Sequence, residues 1–253
     1  MPPFLSIRPI IALFNYILGL THTPIHARPS HITLSDQGAT WSGRHGDRIY
    51  YEQNSDLFER AIDLSSDPKR VATGSIGRYS VRGDGNSLII SKGITDEKRL
   101  YSVSISTGDE NLIGPSDTRI GQSSVSPDNR FVAAIKEISG NPRPIVFEYQ
   151  NGTYVQVADE DAAFPVWSPS GDRLYYASGE TIRAVDLDIG DSVQPAGRPY
   201  TVFEHEDLRP QFDVLPDGRL ALLLLPIGGF QAETGRVIQN WGDHLRSLAE
   251  ESN

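Results

Sequence analysis

The sequence predicts an all-β fold of repeated four-stranded antiparallel sheets, and three observations predict it. One phrase recurs five times along the 253 residues: an apolar residue, a tight polar turn, then a hydrophobic run. The copies are Trp41-Ser-Gly-Arg-His-Gly-Asp-Arg-Ile-Tyr-Tyr51, Val81 to Ile90, Val125 to Ala134, Trp167 to Tyr176 and Val214 to Leu223. Anchored on Gly46, Gly85, Asn129, Gly171 and Gly218, they lie 39, 44, 42 and 47 residues apart. A strand-rich repeat near forty residues is the mark of propeller blades. The third observation is the hairpin punctuation between the copies, which supplies the remaining strands.

Each copy follows strand and turn chemistry. The residue ahead of the turn is Trp41, Val81, Val125, Trp167 or Val214, large or β-branched and suited to a buried pleated surface. The turns Ser126-Pro-Asp-Asn129, Ser168-Pro-Ser-Gly171 and Leu215-Pro-Asp-Gly218 carry proline early and Gly or Asn late. Proline presets φ, and Gly or Asn accepts the positive φ of the reversal. The runs Ile49 to Tyr51, Leu88 to Ile90, Val132 to Ile135, Leu174 to Ala177 and Leu220 to Leu225 read as buried strands. Between copies, Pro144 to Val157 reads as a hairpin closed by Asn151-Gly152, and Leu174 to Val185 as one closed by Ser178-Gly179. Leu100 to Ile105 and Asn111 to Ile113 supply a third and a fourth strand around Ser106-Thr107-Gly108.

The predicted architecture is therefore a β-propeller of four-stranded antiparallel blades over residues 28–253, with five blades visible and a sixth left open. His31 to Leu34 reads as an outer strand that completes the last blade, whose own third strand falls at Arg236 to Gln239. Such closure hides sheet edges. In the tail, Trp241, Leu245 and Leu248 recur at helical spacing and predict a short helix docked on the last blade. Residues 1–27 differ: Arg8 is followed by the apolar run Ile10 to Leu20 and then Ile25-His26-Ala27. The run is short for a membrane span, which needs about 20 apolar residues. It suits the core of a secretory signal, an anchor, or a segment left from a longer parent chain.

Composition narrows the function classes. A net charge of −10 and the lack of any Lys/Arg run argue against nucleic-acid binding, which needs a basic stripe. With no cysteine there are no disulfides, thiolate metal sites or cysteine nucleophiles. No Walker loop, dinucleotide fingerprint or His-Glu-x-x-His motif is present. Gly74-Ser-Ile-Gly77 imitates part of a nucleophile elbow, but Thr73 stands where the elbow needs glycine. Glu204-His-Glu-Asp207 has metal-binding residue types, yet neighbours on a strand face opposite ways and cannot converge. Asp159-Glu-Asp161 offers too few oxygens for calcium. The reading is a non-enzyme without cofactor or metal.

Ser126-Pro-Asp-Asn129, Trp167-Ser-Pro-Ser-Gly171 and Leu215-Pro-Asp-Gly218 resemble the repeats of TolB-type β-propellers, a WD40-like bacterial class. Phe212 to Arg219 with Val237-Ile-Gln-Asn-Trp-Gly-Asp-His-Leu245 resembles the last blade and tail of sensor propellers fused to bacterial serine/threonine kinases and transcriptional regulators. The resemblance covers about residues 30–249. It implies a periplasmic or membrane-tethered protein-interaction module, generally of six or more blades. This chain departs from it in showing five repeats and no kinase or winged-helix partner, so a detached sensor or a cytoplasmic fragment stays open as an alternative.

The loop entering each innermost strand crowns the channel of a propeller. Four residues ahead of each turn stand Gly38, Arg78, Gln122, Phe164 and Gln211. Arg78, Gln122 and Gln211 are expected to line a polar mouth, with Phe164 and Tyr79 adding contact area for a protein or peptide. A small-ligand or enzymatic use of the same mouth is the rival expectation.

Overall fold

A computed structural model describes residues 41–45, 47–61, 65–74, 76–93, 97–116, 119–149, 152–224 and 237–238. Among the described residues there is no α-helix. The segment 1–27, the strand expected at His31 to Leu34 and the tail helix lie outside them, as does Gly38. The chain forms two compact units that divide between Ile113 and Gly114.

The first unit holds two meander sheets. Blade 1 runs β1 (Trp41–His45), β2 (Arg48–Gln53), β3 (Asp56–Ala61) and β4 (Lys69–Ala72), each paired antiparallel with the next. Asn54 and Ser55 join β2 to β3 with φ of 52° and 68°, the two positive values that a type I′ turn requires. Blade 2 runs β5 (Ile76–Val81), β6 (Ser87–Lys92), β7 (Arg99–Ser104) and β8 (Glu110–Ile113). Their shared core gathers Tyr50, Leu57, Val71, Tyr79, Leu88, Ile90 and Val103.

Blade 1 departs from the expected phrase. Trp41 does not precede the turn: β1 continues to His45, which pairs with Arg48, and Trp41 lies opposite Glu52. Only two residues separate His45 from Arg48, so residues 42–44, read from sequence as turn, extend the strand.

The second unit opens with blade 3: β9 (Ile120–Val125), β10 (Phe131–Ile138), β11 (Asn141–Glu148) and β12 (Tyr154–Gln156). The expected hairpin forms, with Phe147 opposite Tyr154 and six residues between that pair; Gln150 and Asn151 lie outside the described residues. Blade 4 contains β13 (Ala163–Trp167), β14 (Arg173–Ser178), β15 (Thr181–Ile189), β16 (Val193–Pro195) and β17 (Tyr200–Glu204). It has one strand more than the expected four. The nine residues of β15 outrun a single partner, so β16 pairs with its far end and β17 with its near end. Blade 5 shows β18 (Leu208–Val214), β19 (Leu220–Leu224) and β20 (Val237–Ile238), the last at the expected place.

Blade 4 explains why its sequence reads as a continuous apolar run. Leu174, Tyr176, Val185 and Leu187, with Trp167 of their own blade, face blade 3, where they meet Phe131, Ala133 and Val146. Tyr175, Ala177, Ile182 and Ala184 point the other way, onto Leu208, Phe212, Leu220 and Leu222 of blade 5. A sheet buried on both faces needs apolar side chains at successive positions.

The turns behave alike in four blades. Gly85, Asn129, Gly171 and Gly218 have φ of 67°, 62°, 79° and 83°. Each donates its N–H to the carbonyl three residues earlier, on Arg82, Ser126, Ser168 and Leu215, at 2.8 to 3.0 Å. Where the turn carries serine and aspartate, side chains reinforce it. Ser126 Oγ donates to Asp128 Oδ1 at 2.5 Å and accepts the Phe131 N–H at 2.9 Å, and Ser168 accepts the Arg173 N–H in the same way.

Candidate functional site

In a four-stranded meander the residues free to vary are those that neither close a turn nor fill a sheet face. On the first strand of each blade they fall near its start. There the ladder of four blades is broken by a β-bulge, where extra residues leave the pairing and re-aim side chains. In β5 the register shifts between Ile76 and Arg78, in β9 between Gly121 and Ser124, in β13 between Ala163 and Val166, and in β18 between Leu208 and Phe212. The five described pairs of β1 run without a shift.

The positions named from sequence lie at these bulges. Arg78 is on β5 opposite Ser91, next to the extra residue Gly77. Tyr79, its neighbour, is buried at 9% exposure. Its hydroxyl donates to the Tyr50 carbonyl at 2.6 Å, and its ring lies 6.3 Å from that of Tyr50. The ring of Tyr79 thus belongs to the core of the first unit. Tyr50 itself is held neutral: burial first, then the nearby charge of Glu59, pushes its hydroxyl up to about 12.

Gln122, Phe164 and Gln211 share the second unit, where β13 lies beside both β9 and β18. First strands side by side are the inner wall of a blade fan. Gln122 and Phe164 are half-buried, and both take positive φ, 49° and 56°. For residues with a Cβ this left-handed region costs about 1–3 kcal/mol each and needs surrounding structure to hold it. Part of that structure is a bond between the two blades: Gln122 Oε1 accepts the Phe164 N–H at 2.9 Å. The phenyl ring of Phe164 packs on the core shared with blade 5. Gln211 sits half-buried in the widest bulge, where Leu208 and Phe212 on β18 face Leu224 and Leu222 on β19. Hence the structure joins Gln122 to Phe164 directly and places Gln211 two strands along the same wall.

Sequence reading missed Ser123 and Asp213. Ser123, between Gln122 and Ser124 in the β9 bulge, has a buried hydroxyl with no hydrogen-bond partner among the described residues. Ser80 on β5 is in the same condition. Asp213 keeps partial solvent exposure yet is densely surrounded by protein, and burial pushes its carboxyl up to about 6 while the Val214 N–H pulls the other way. A serine inside a short polar run and an aspartate inside a strand carry no sequence mark of burial.

The polar run Glu204-His-Glu-Asp207 is exposed or half-exposed at the end of β17. His205 stacks on Phe203 and accepts the Asp207 N–H on Nδ1 at 3.0 Å. Among the described residues no group of three or more His, Asp or Glu side chains could hold a metal ion.

No protein-family model and no curated protein matches the sequence. Among solved structures, the chain is similar to the crystal structure of TolB from Acinetobacter baumannii, with 18% identity and a TM-score of 0.53 over 72% of this chain and 45% of that one. It is similar also to the crystal structure of the tricorn protease, with 12% identity and a TM-score of 0.55 over 76% of this chain and 24% of that one. The chain spans less than half the length of either. At such identities the likeness carries the fold and not the activity. With five repeated antiparallel sheets among the described residues, that fold is a β-propeller like that of TolB.

Proposed function

We propose that the chain is a non-catalytic propeller scaffold that binds a protein or peptide on the face formed by the starts of the first strands of its second unit, outside the cytoplasm. The observation that carries this reading is the coincidence of two independent features. In the second unit the positions with the least constrained residue types, Gln122, Phe164 and Gln211, are the positions where the first-strand ladders are bulged. Bulges concentrate at edges and binding sites because they turn side chains and main-chain groups out of the ladder. An extended peptide suits a surface that offers amide side chains and unladdered backbone, since main-chain hydrogen bonds then supply affinity. Export is supported by the apolar run Ile10 to Leu20 followed by Ile25-His26-Ala27.

Selection of phage-displayed peptides on the full chain tests the reading. The selected peptide is expected to bind the Gln211→Ala variant at least about tenfold more weakly, with the melting temperature unchanged. Undiminished binding by the folded variant overturns it. A phosphatase reporter joined after residue 27 becomes active only outside the cytoplasm and tests the location.

A further inference from the structure

We propose that Gln122 is a built-in occupant of a site for an amide carbonyl: its side-chain oxygen holds the Phe164 N–H that a bound peptide carbonyl would otherwise accept from. The inference deepens the peptide-binding reading and rests on it for the location of the site.

Four observations converge. The β13 bulge takes Phe164 and Pro165 out of register with β14. The acceptor it meets is a side chain from the neighbouring blade, Gln122 Oε1 at 2.9 Å. Both residues adopt the left-handed region although neither is glycine, at φ 49° and 56°. Strain of this kind is stored at ligand clamps and switch regions more than in plain scaffolding. Lastly, the residue after Gln122 is Ser123, whose buried hydroxyl has no partner among the described residues.

The ligand class follows from these groups. Phe164 offers an N–H, so the bulge presents a donor and calls for an oxygen acceptor. The resident acceptor is a neutral amide oxygen, the same group as a peptide carbonyl, which makes Gln122 a chemical mimic of an extended chain. A glutamine side chain leaves by rotating its χ angles, and its amide then regains water. A peptide carbonyl replaces it with the count of hydrogen bonds at Phe164 unchanged, so exchange requires no broken ladder. The same bond in the unliganded protein weakens ligand binding, because each ligand must displace Gln122.

The test uses N-methylacetamide, a minimal peptide carbonyl, titrated into the full ¹⁵N-labelled chain with the Phe164 amide resonance as readout. Gln122→Ala removes the occupant, and Gln122→Met removes the acceptor while keeping the volume, in case alanine collapses the bulge. Both variants are expected to show a saturable Phe164 shift at concentrations about tenfold below those the wild type needs. The Trp167 indole resonance should stay in place and report an intact blade contact. Equal titrations in wild type and variants overturn the proposal. Saturation by acetate in preference to N-methylacetamide overturns the assignment to a neutral carbonyl. If peptide selection on the full chain yields nothing while the variants bind N-methylacetamide, the occupant role stands and the peptide-binding function falls.

Discussion

Trp167 Nε1 donates to the Ser124 carbonyl at 3.1 Å, tying the last residue of β13 to the first strand of the preceding blade. The same ring fills the core between blades 3 and 4. Tyr79 does the corresponding work in the first unit through the Tyr50 carbonyl. Aromatic residues with a polar tip near the inner strand thus join neighbouring sheets that share no ladder.

Two substitutions separate the bond from the ring. Trp167→Phe keeps most of the packing and removes the donor, which should lower stability by about 1 kcal/mol. Trp167→Ala also opens a cavity against Phe131 and Leu174, and losses of about 3–5 kcal/mol are typical of such truncations. Urea midpoints of the two variants give the comparison. Similar losses for both would mean that the indole bond, not the packing, joins the blades.

Asp213 should make the protein more stable in mild acid. Its folded carboxyl titrates at about 6, against about 3.9 for an unfolded aspartate, so the folded chain binds the proton more tightly. The stabilisation is complete below about pH 4 and lost as pH rises through about 6. Asp213→Asn is expected to exceed the wild type by about 1–2 kcal/mol at pH 7, an advantage that fades by pH 4. A difference in melting temperature independent of pH would show that charge burial at Asp213 is not its cause.

The Ser-Pro-Asp turns give the opposite sign. Burial works against the Asp128 carboxylate, but the Ser126 hydroxyl and the Arg130 N–H hold it below its ordinary range. The Ser170 and Ser168 hydroxyls do the same for Asp172. These groups stabilise the fold above the ordinary carboxylate pKa, and the benefit goes as pH falls through their lowered values. Ser126→Ala removes the bond to Asp128 and the acceptor of the Phe131 N–H, an expected loss of about 1–2 kcal/mol at pH 7. Its stability should also fall less steeply than that of the wild type below pH 4. A parallel acid limb in the variant would contradict the role given to the hydroxyl.

Gly114 and Gly140 pose a matched pair. Both have positive φ, 68° and 79°. A Cβ on Gly114 would come within 2.7 Å of the Phe147 ring, whereas one on Gly140 would meet nothing within 4 Å. Gly140→Ala should therefore carry backbone strain alone, about 1 kcal/mol, and Gly114→Ala a further 1–3 kcal/mol of overpacking. Trimming the ring with Phe147→Leu in the Gly114→Ala background should recover part of that excess, by thermal denaturation.

How much of this was legible follows from where each signal lies. The turns were readable because Gly85, Asn129, Gly171 and Gly218 each meet a conformational demand that few residues satisfy. The two-faced burial of blade 4 was readable in the unbroken Leu174 to Ala177 run. Trp41 misled because the phrase aligns by composition, while a two-residue reversal lets β1 run on to His45. The starts of the first strands were located by counting back from the turns, but their bulges were not. One extra residue in Gly121-Gln-Ser-Ser124 breaks the alternation just as a loop entry does. Tyr79 shows the limit of counting: spacing places it at the mouth, and a hydrogen bond to Tyr50 draws its ring into the core.

Each described strand pairs within its own blade, and no ladder crosses from one blade to the next. The turns that mark the repeats close with one and the same main-chain bond at Gly85, Asn129, Gly171 and Gly218. A gene segment cut from one such turn to the next therefore encodes a module whose two seams match. Unequal recombination at these seams would add or delete a module without rethreading the ladders of the others.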